Sequence, residues 1–141
     1  MIKALSYIGI KSTLRDEWAA FATKILGMQL IDTGGDTSIF RMDNQAQRLF
    51  VSEEHDESIA CIGWEVDSKA SLGAFGSQLE ANGVEVFHGS QSLASQRQVA
   101  DLLWFIDPAR FRVELVWKPE ETLERSVPGR PIEGSKAGPR G

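Results

Sequence analysis

The stretch FRMDNQAQRLFV, residues 40–51, is written again sixty-four positions later as WFIDPARFRVELV, residues 104–116. Asp43 answers Asp107, Arg48 answers Arg112, and Phe50 answers Glu114. Each copy reads as an apolar strand, an acidic turn and a second apolar strand. Only the second copy places a carboxylate, Glu114, on its closing strand.

Working outward, the duplication extends over most of the chain. Ile8-Gly9 repeats as Ile62-Gly63 and Ala20-Phe21 as Ala74-Phe75, both at an offset of 54. ALSYIGIKS alternates as a strand does. TLRDEWAAFATKILGM then sets Leu14, Trp18, Phe21 and Ile25 at helical spacing, with a Ser or Thr to open the helix and Gly27 to close it. QLIDT, SIFRM and RLFVSE follow as strands. The second half repeats the order with IACIGWEV, the helix SKASLGAFGSQLEANG, and the strands VEVFHG, DLLWFID and RVELVW. SQSLASQRQVA, residues 90–100, is an added loop with a helical turn, and it accounts for the growth of the offset from 54 to 64. The expected fold is α+β. Two βαβββ modules, residues 1–54 and 58–117, form one barrel-like domain with two helices packed outside. Residues 118–141 hold four of the five prolines and no apolar periodicity, and read as a tail or linker.

At 141 residues the chain is one domain's worth, with 42% hydrophobic and 25% charged residues. A net charge of -5 leaves no basic surface to neutralise several phosphates, which argues against nucleic acid. The apolar runs are too short to span a bilayer. The opening residues read as a strand rather than a leader. A single cysteine, Cys61, has no intrachain partner for a disulfide. These features fit a cytoplasmic protein.

Few residues suggest chemistry. His55 lies in the polar turn EEHDES, where a solvated histidine is the simpler reading than a metal ligand. His88 ends a strand beside a turn and reads the same way. Cys61 has no neighbouring base or cation to activate it, so a small buried apolar role fits better than a nucleophile. Glu114 shares a strand face with Arg112 and Val116. An inward carboxylate needs a partner, and Arg48 or Arg112 is the expected one. On that footing Glu114→Gln is expected to cost about 1.5–3 kcal/mol. Trp18, Trp64, Trp104 and Trp117 line an aromatic pocket or, more simply, pack on inner faces. TGGDTS is a hairpin turn without a phosphate-loop pattern.

The paired units with the endings FRMDNQAQRLFV and WFIDPARFRVELVW resemble the vicinal oxygen chelate superfamily, which includes glyoxalase I, bleomycin-resistance proteins and extradiol dioxygenases. Within it, IKALSYIGIKSTLRDEWAAFATKILGMQL, IGWEVDSKASL, LEANGVEVFHGS and DLLWFIDPARFRVEL are similar to the amino-terminal domain of type I extradiol dioxygenases of the 2,3-dihydroxybiphenyl 1,2-dioxygenase kind. SVPGRPIEG resembles the linker to their second domain. The resemblance implies Fe(II), occasionally Mn(II), held in that second domain by two His and one Glu, which leaves open positions for a catechol and O₂. The equivalent positions here are Tyr7, Cys61 and Glu114, of which only Glu114 keeps a ligand type. The implied role is therefore a non-catalytic amino-terminal domain. Its partner is an iron-binding second domain or another copy of the chain, and its substrate in the complete enzyme is a small aromatic. The alternative is a stand-alone protein like the bleomycin-resistance proteins, with a ligand cavity enclosed by a dimer.

Overall fold

The computed structural model describes residues 1–31 and 35–122. Two runs of βαβββ are present, as the repeat requires. The first comprises β1 (Ile2–Ser12), α1 (Arg15–Ala20), β2 (Gln29–Ile31), β3 (Thr37–Arg41) and β4 (Leu49–Glu53). The second comprises β5 (Ser58–Val66), α2 (Lys69–Ala81), β6 (Phe87–His88), β7 (Val99–Ile106) and β8 (Arg112–Pro119). A third helix, α3 (Gln91–Arg97), stands between β6 and β7, where the sequence suggests a loop with a helical turn. Ser90 caps it by accepting from the Leu93 N–H at 3.0 Å, and Gln98 ends it in the left-handed region at φ 57°.

The chain divides into two compact units. One holds Met1–Ile8 and Ile59–Glu120, with strand order β1-β5-β8-β7-β6. The other holds the described residues of Gly9–Ser58 together with Glu121 and Thr122, with strand order β2-β3-β4-β1. β1 contributes its first half to one and its second half to the other. The strand order is open, with edges at β2 and β6. In the first unit β5 and β8 run parallel with Gly63 opposite Glu114, and β7 and β8 run antiparallel with Trp104 opposite Glu114. Glu114 is thus fixed at the centre of three strands.

The core of this unit lies between α2 and the sheet. Val66, Leu72, Leu103 and Leu115 are buried, and Phe75, Leu79, Phe105 and Trp117 pack against them. Each fully buried side chain of this kind contributes roughly 1.5–3 kcal/mol. Ser68 caps α2 by accepting from the Ser71 N–H at 3.0 Å, and Gly83, at φ 82°, turns the chain out of it. In the other unit Ala22, Phe40, Leu49, Phe50 and Val51 are buried.

The first helix departs from its expected form. α1 stops at Ala20 and continues as a π-helical turn over Phe21–Ile25. Its N-cap residue, Leu14, makes no side-chain cap bond. Instead Glu57, from the β4–β5 loop, accepts from the Thr13 N–H at 2.8 Å and from the Ser12 hydroxyl at 2.5 Å. The apolar stripe is also largely uncovered, with Leu14 48%, Phe21 46% and Ile25 58% exposed. The wider π turn shifts Ile25, at its end, from the face that straight α-helical spacing would give it, while Phe21, at its start, keeps an edge contact with Trp18 at 6.0 Å.

β6 is two residues long rather than the whole of VEVFHG, and β8 runs on to Pro119. Glu121 then makes an isolated bridge with Gln45. The tail beyond Thr122 and the Asp32–Gly34 part of the first hairpin turn lie outside the described residues.

Candidate functional site

Tyr7 on β1, Cys61 on β5 and Glu114 on β8 converge within one unit, and each is at most 1% exposed. Gly63 makes the convergence possible. A Cβ there would sit 2.5 Å from the Tyr7 ring, so the absence of a side chain lets the phenol lie across β5 and reach β8. The other unit repeats the device, with the Phe50 ring lying over Gly9. Phe50 is the repeat mate of Glu114, and Gly9 is the mate of Gly63. The first copy therefore fills its inward position with a ring, whereas the second presents a carboxylate.

That carboxylate is fully engaged. Glu114 Oε1 accepts from the Tyr7 hydroxyl in a short hydrogen bond and from Arg97 Nε at 2.8 Å. Oε2 accepts from Arg97 Nη2 at 3.0 Å and from Arg112 Nε at 2.8 Å. Arg97 grips both oxygens in a fork, the geometry that favours guanidinium over ammonium. Arg112 also lies over the Trp104 ring, 3.8 Å from its centroid, and Trp104 stacks on Phe87 at 4.1 Å. One carboxylate thus faces two guanidinium groups, a local sum of +1.

The protonation states follow from this setting. Burial alone would raise the Glu114 carboxyl, but the hydrogen bonds and charge of Arg97, with Tyr7 and Arg112, outweigh it and hold the group below its usual range. Burial, then the Glu114 charge, raises the Tyr7 phenol well above its usual value, so it stays neutral and donates. Burial, then Glu114, pushes the Cys61 thiol up to about 12.

A divalent metal does not fit this donor set. A carboxylate has about four lone-pair directions, and four donors occupy them. The Tyr7 oxygen keeps its proton, the Cys61 sulfur keeps its own at neutral pH, and the surplus positive charge opposes a dication. Among the described residues no group of three or more His, Cys, Asp or Glu is placed to hold a metal.

Of the partners expected for Glu114, Arg112 is present and Arg48 is not. Arg48 instead forks onto Asp43 of its own hairpin, with Nη2 to Oδ2 at 2.6 Å, because that turn supplies a carboxylate five residues away. Sequence reasoning missed Arg97. It lies in the added segment, which has no repeat mate to mark it. His55 and His88 are both exposed, in the β4–β5 loop and on β6. Of the four tryptophans, Trp64 lines a groove. This apolar space of about 450 Å³ on the α2 side of the sheet is bounded also by Ile2, Phe75, Leu79, Phe105 and Val113. No helix among the described residues is long and apolar enough to cross a membrane.

The architecture and this interior carboxylate can be set beside known proteins. The family described as dihydroxybiphenyl dioxygenase BphC D1 matches residues 5–53. Biphenyl-2,3-diol 1,2-dioxygenase of Paraburkholderia xenovorans (strain LB400) is 30% identical over 141 residues, which is 99% of this chain and 47% of the relative. 1,2-Dihydroxynaphthalene dioxygenase of Pseudomonas sp. (strain C18) is 32% identical over 132 residues, which is 92% of this chain and 44% of the relative. The crystal structure of BphC, a halotolerant catechol dioxygenase, superposes with a TM-score of 0.89 at 34% identity, over 94% of this chain and 45% of that one. Over nearly its whole length the chain is similar to extradiol dioxygenases of the vicinal oxygen chelate fold, and its residues 5–53 match their first-domain family. It spans a little under half the length of the curated relatives it matches.

Proposed function

We propose that the chain is the non-catalytic amino-terminal domain of an extradiol ring-cleavage dioxygenase acting on a catechol-type aromatic of the 2,3-dihydroxybiphenyl class. The observation that carries this reading is the coverage. Nearly all of this chain aligns with less than half of dioxygenase relatives, so the relatives contain a further portion of similar size. The chain that follows β8 serves as the linker to that portion, which holds the Fe(II) and meets substrate and O₂. The complete enzyme works in the cytoplasm. This chain contributes a rigid partner surface, and its interior is closed by the Tyr7–Glu114–Arg97–Arg112 cluster rather than by a metal.

Oxygen uptake tests the assignment. The chain alone, treated anaerobically with Fe(II) and then given 2,3-dihydroxybiphenyl in aerated buffer, is expected to consume no oxygen above the metal-only control. Coding DNA continuing in frame past codon 141, with two His and one Glu on predicted strands, is the matching positive result. Protein-dependent ring cleavage by the chain alone would refute the reading.

A further inference from the structure

The added segment of the second module has a defined product, the placement of Arg97. Ser90 caps α3 and Gln98 ends it in a left-handed turn. The backbone N–H of Glu120 donates to the Gln98 carbonyl at 2.7 Å, tying that turn to the end of β8. The Arg97 side chain, 16% exposed, therefore enters the sheet interior from a helix anchored at both ends. It reaches a carboxylate with no exposure, held by three adjacent strands beside Tyr7 and Cys61. Arg112 by itself already supplies one compensating charge. Arg97 adds a second and takes a hydrogen-bonding position on each carboxylate oxygen.

We infer that Arg97 is a tethered cation occupying a latent cation site built by Tyr7, Cys61 and Glu114, and that its guanidinium keeps other cations out of that site. When Arg97 is shortened, the vacated space accepts a small planar cation of the guanidinium class, because Glu114 regains two unfilled oxygen positions in a buried setting whose net charge falls from +1 to zero. When imidazoles also replace the phenol and the thiol, the same space accepts a divalent metal, since two neutral nitrogens and a carboxylate are a competent donor set. The inference rests on this cluster and not on ring cleavage, and metal or guanidinium binding reads it directly.

Two experiments on the 141-residue chain test it. In the first, Arg97→Ala is titrated with millimolar methylguanidinium and followed by thermal unfolding. A saturable rise in midpoint is expected in the variant and is absent from the unchanged chain and from a tetramethylammonium control. If the variant does not fold unaided, it is refolded with methylguanidinium present. Recovery of the native near-ultraviolet dichroism supports the inference, and failure to recover overturns it. In the second, Co(II) is added to Tyr7→His/Cys61→His with Arg97 kept, and to the same pair carrying Arg97→Ala. The triple variant is expected to bind one Co(II) per chain, seen by its visible absorption. The double variant binds on the order of a hundredfold more weakly, because a fixed unit charge a few ångströms away opposes the dication. Equal affinity in the two variants, or no Co(II) uptake by a folded triple variant, would overturn the assignment.

Discussion

Replacing Glu114 by Gln keeps the shape of the side chain and removes its charge, so it isolates what the buried carboxylate does. In the native chain four hydrogen bonds converge on it, three of them from guanidinium groups. Gln retains one acceptor oxygen and turns an NH₂ group toward a guanidinium that can only donate. Two cations then lose the carboxylate they share, in a place where Glu114 has no exposure. Breaking a buried ion pair from one side costs about 3–5 kcal/mol. That exceeds the roughly 1.5–3 kcal/mol expected from the sequence, where one partner was foreseen. Against a total stability of about 5–15 kcal/mol, such a loss is large. Urea unfolding at neutral pH measures it as a lower midpoint with an unchanged slope. The pH dependence carries the same information. Since the folded-state carboxyl is held below its ordinary 4.5, its contribution is complete above that value and disappears as pH falls below it through the lowered value. The native chain and the Gln variant should therefore converge in stability in acid. A loss under about 1 kcal/mol at neutral pH, below what even one charged hydrogen bond contributes, would refute the account of the cluster.

Other perturbations test separate parts of the fold. Gly63→Ala should cost about 1–3 kcal/mol by overpacking against the Tyr7 ring. Gly73→Ala, on α2 with nothing within 4 Å of its new Cβ, should stabilise by about 0.5–1 kcal/mol, and thermal denaturation distinguishes the two. Cys61, buried and with its thiol pushed up to about 12, should react with a chromogenic thiol reagent only as fast as the chain unfolds. Because its folded value is raised, its contribution is present below the ordinary 9.0 and is lost as pH rises toward 12. Cys61→Ala should therefore flatten the alkaline fall in stability, which is at most about 1.4 kcal/mol per pH unit for one group. Removal of residues 123–141, the greater part of the segment 118–141 read as a tail or linker, should leave the urea midpoint unchanged, whereas truncation after Trp117 should lower it by removing the end of β8 and the Gln45–Glu121 bridge.

The duplication was legible because it is written in period and spacing. Strand alternation, helix phase and turn residues recur at fixed offsets, and Ile-Gly at 8–9 and 62–63 marks the two places where a ring crosses a strand. Glu114 stood out as a charge between apolar neighbours, and its need for a partner followed from desolvation alone. Arg97 was not legible. A seven-residue helix is too short to show periodicity, and SQSLASQRQV reads as a polar surface segment. Of the two partners the repeat offered for Glu114, Arg112 takes the place, while Arg48 turns to Asp43, which lies closer along the chain. The first helix misled for a local reason. Its spacing is α-helical as written, but the backbone widens at Phe21, and no sequence period announces a π turn.

The stack of Arg112 on Trp104 gives the interior an optical gauge. An indole with a fixed cation 3.8 Å above its ring feels a strong internal field, and that field shifts the energy of the state from which it emits. Any event that alters the charge around Glu114 changes this field without moving the ring. Protonating the carboxylate, shortening Arg97 or admitting a foreign ion should each move the Trp104 emission in a direction set by the sign of the change. Trp18, Trp64 and Trp117 supply a background that a chain with phenylalanine at those three positions would remove. The protein thus reports the electrostatic state of its own sealed interior through a fluorophore it already carries.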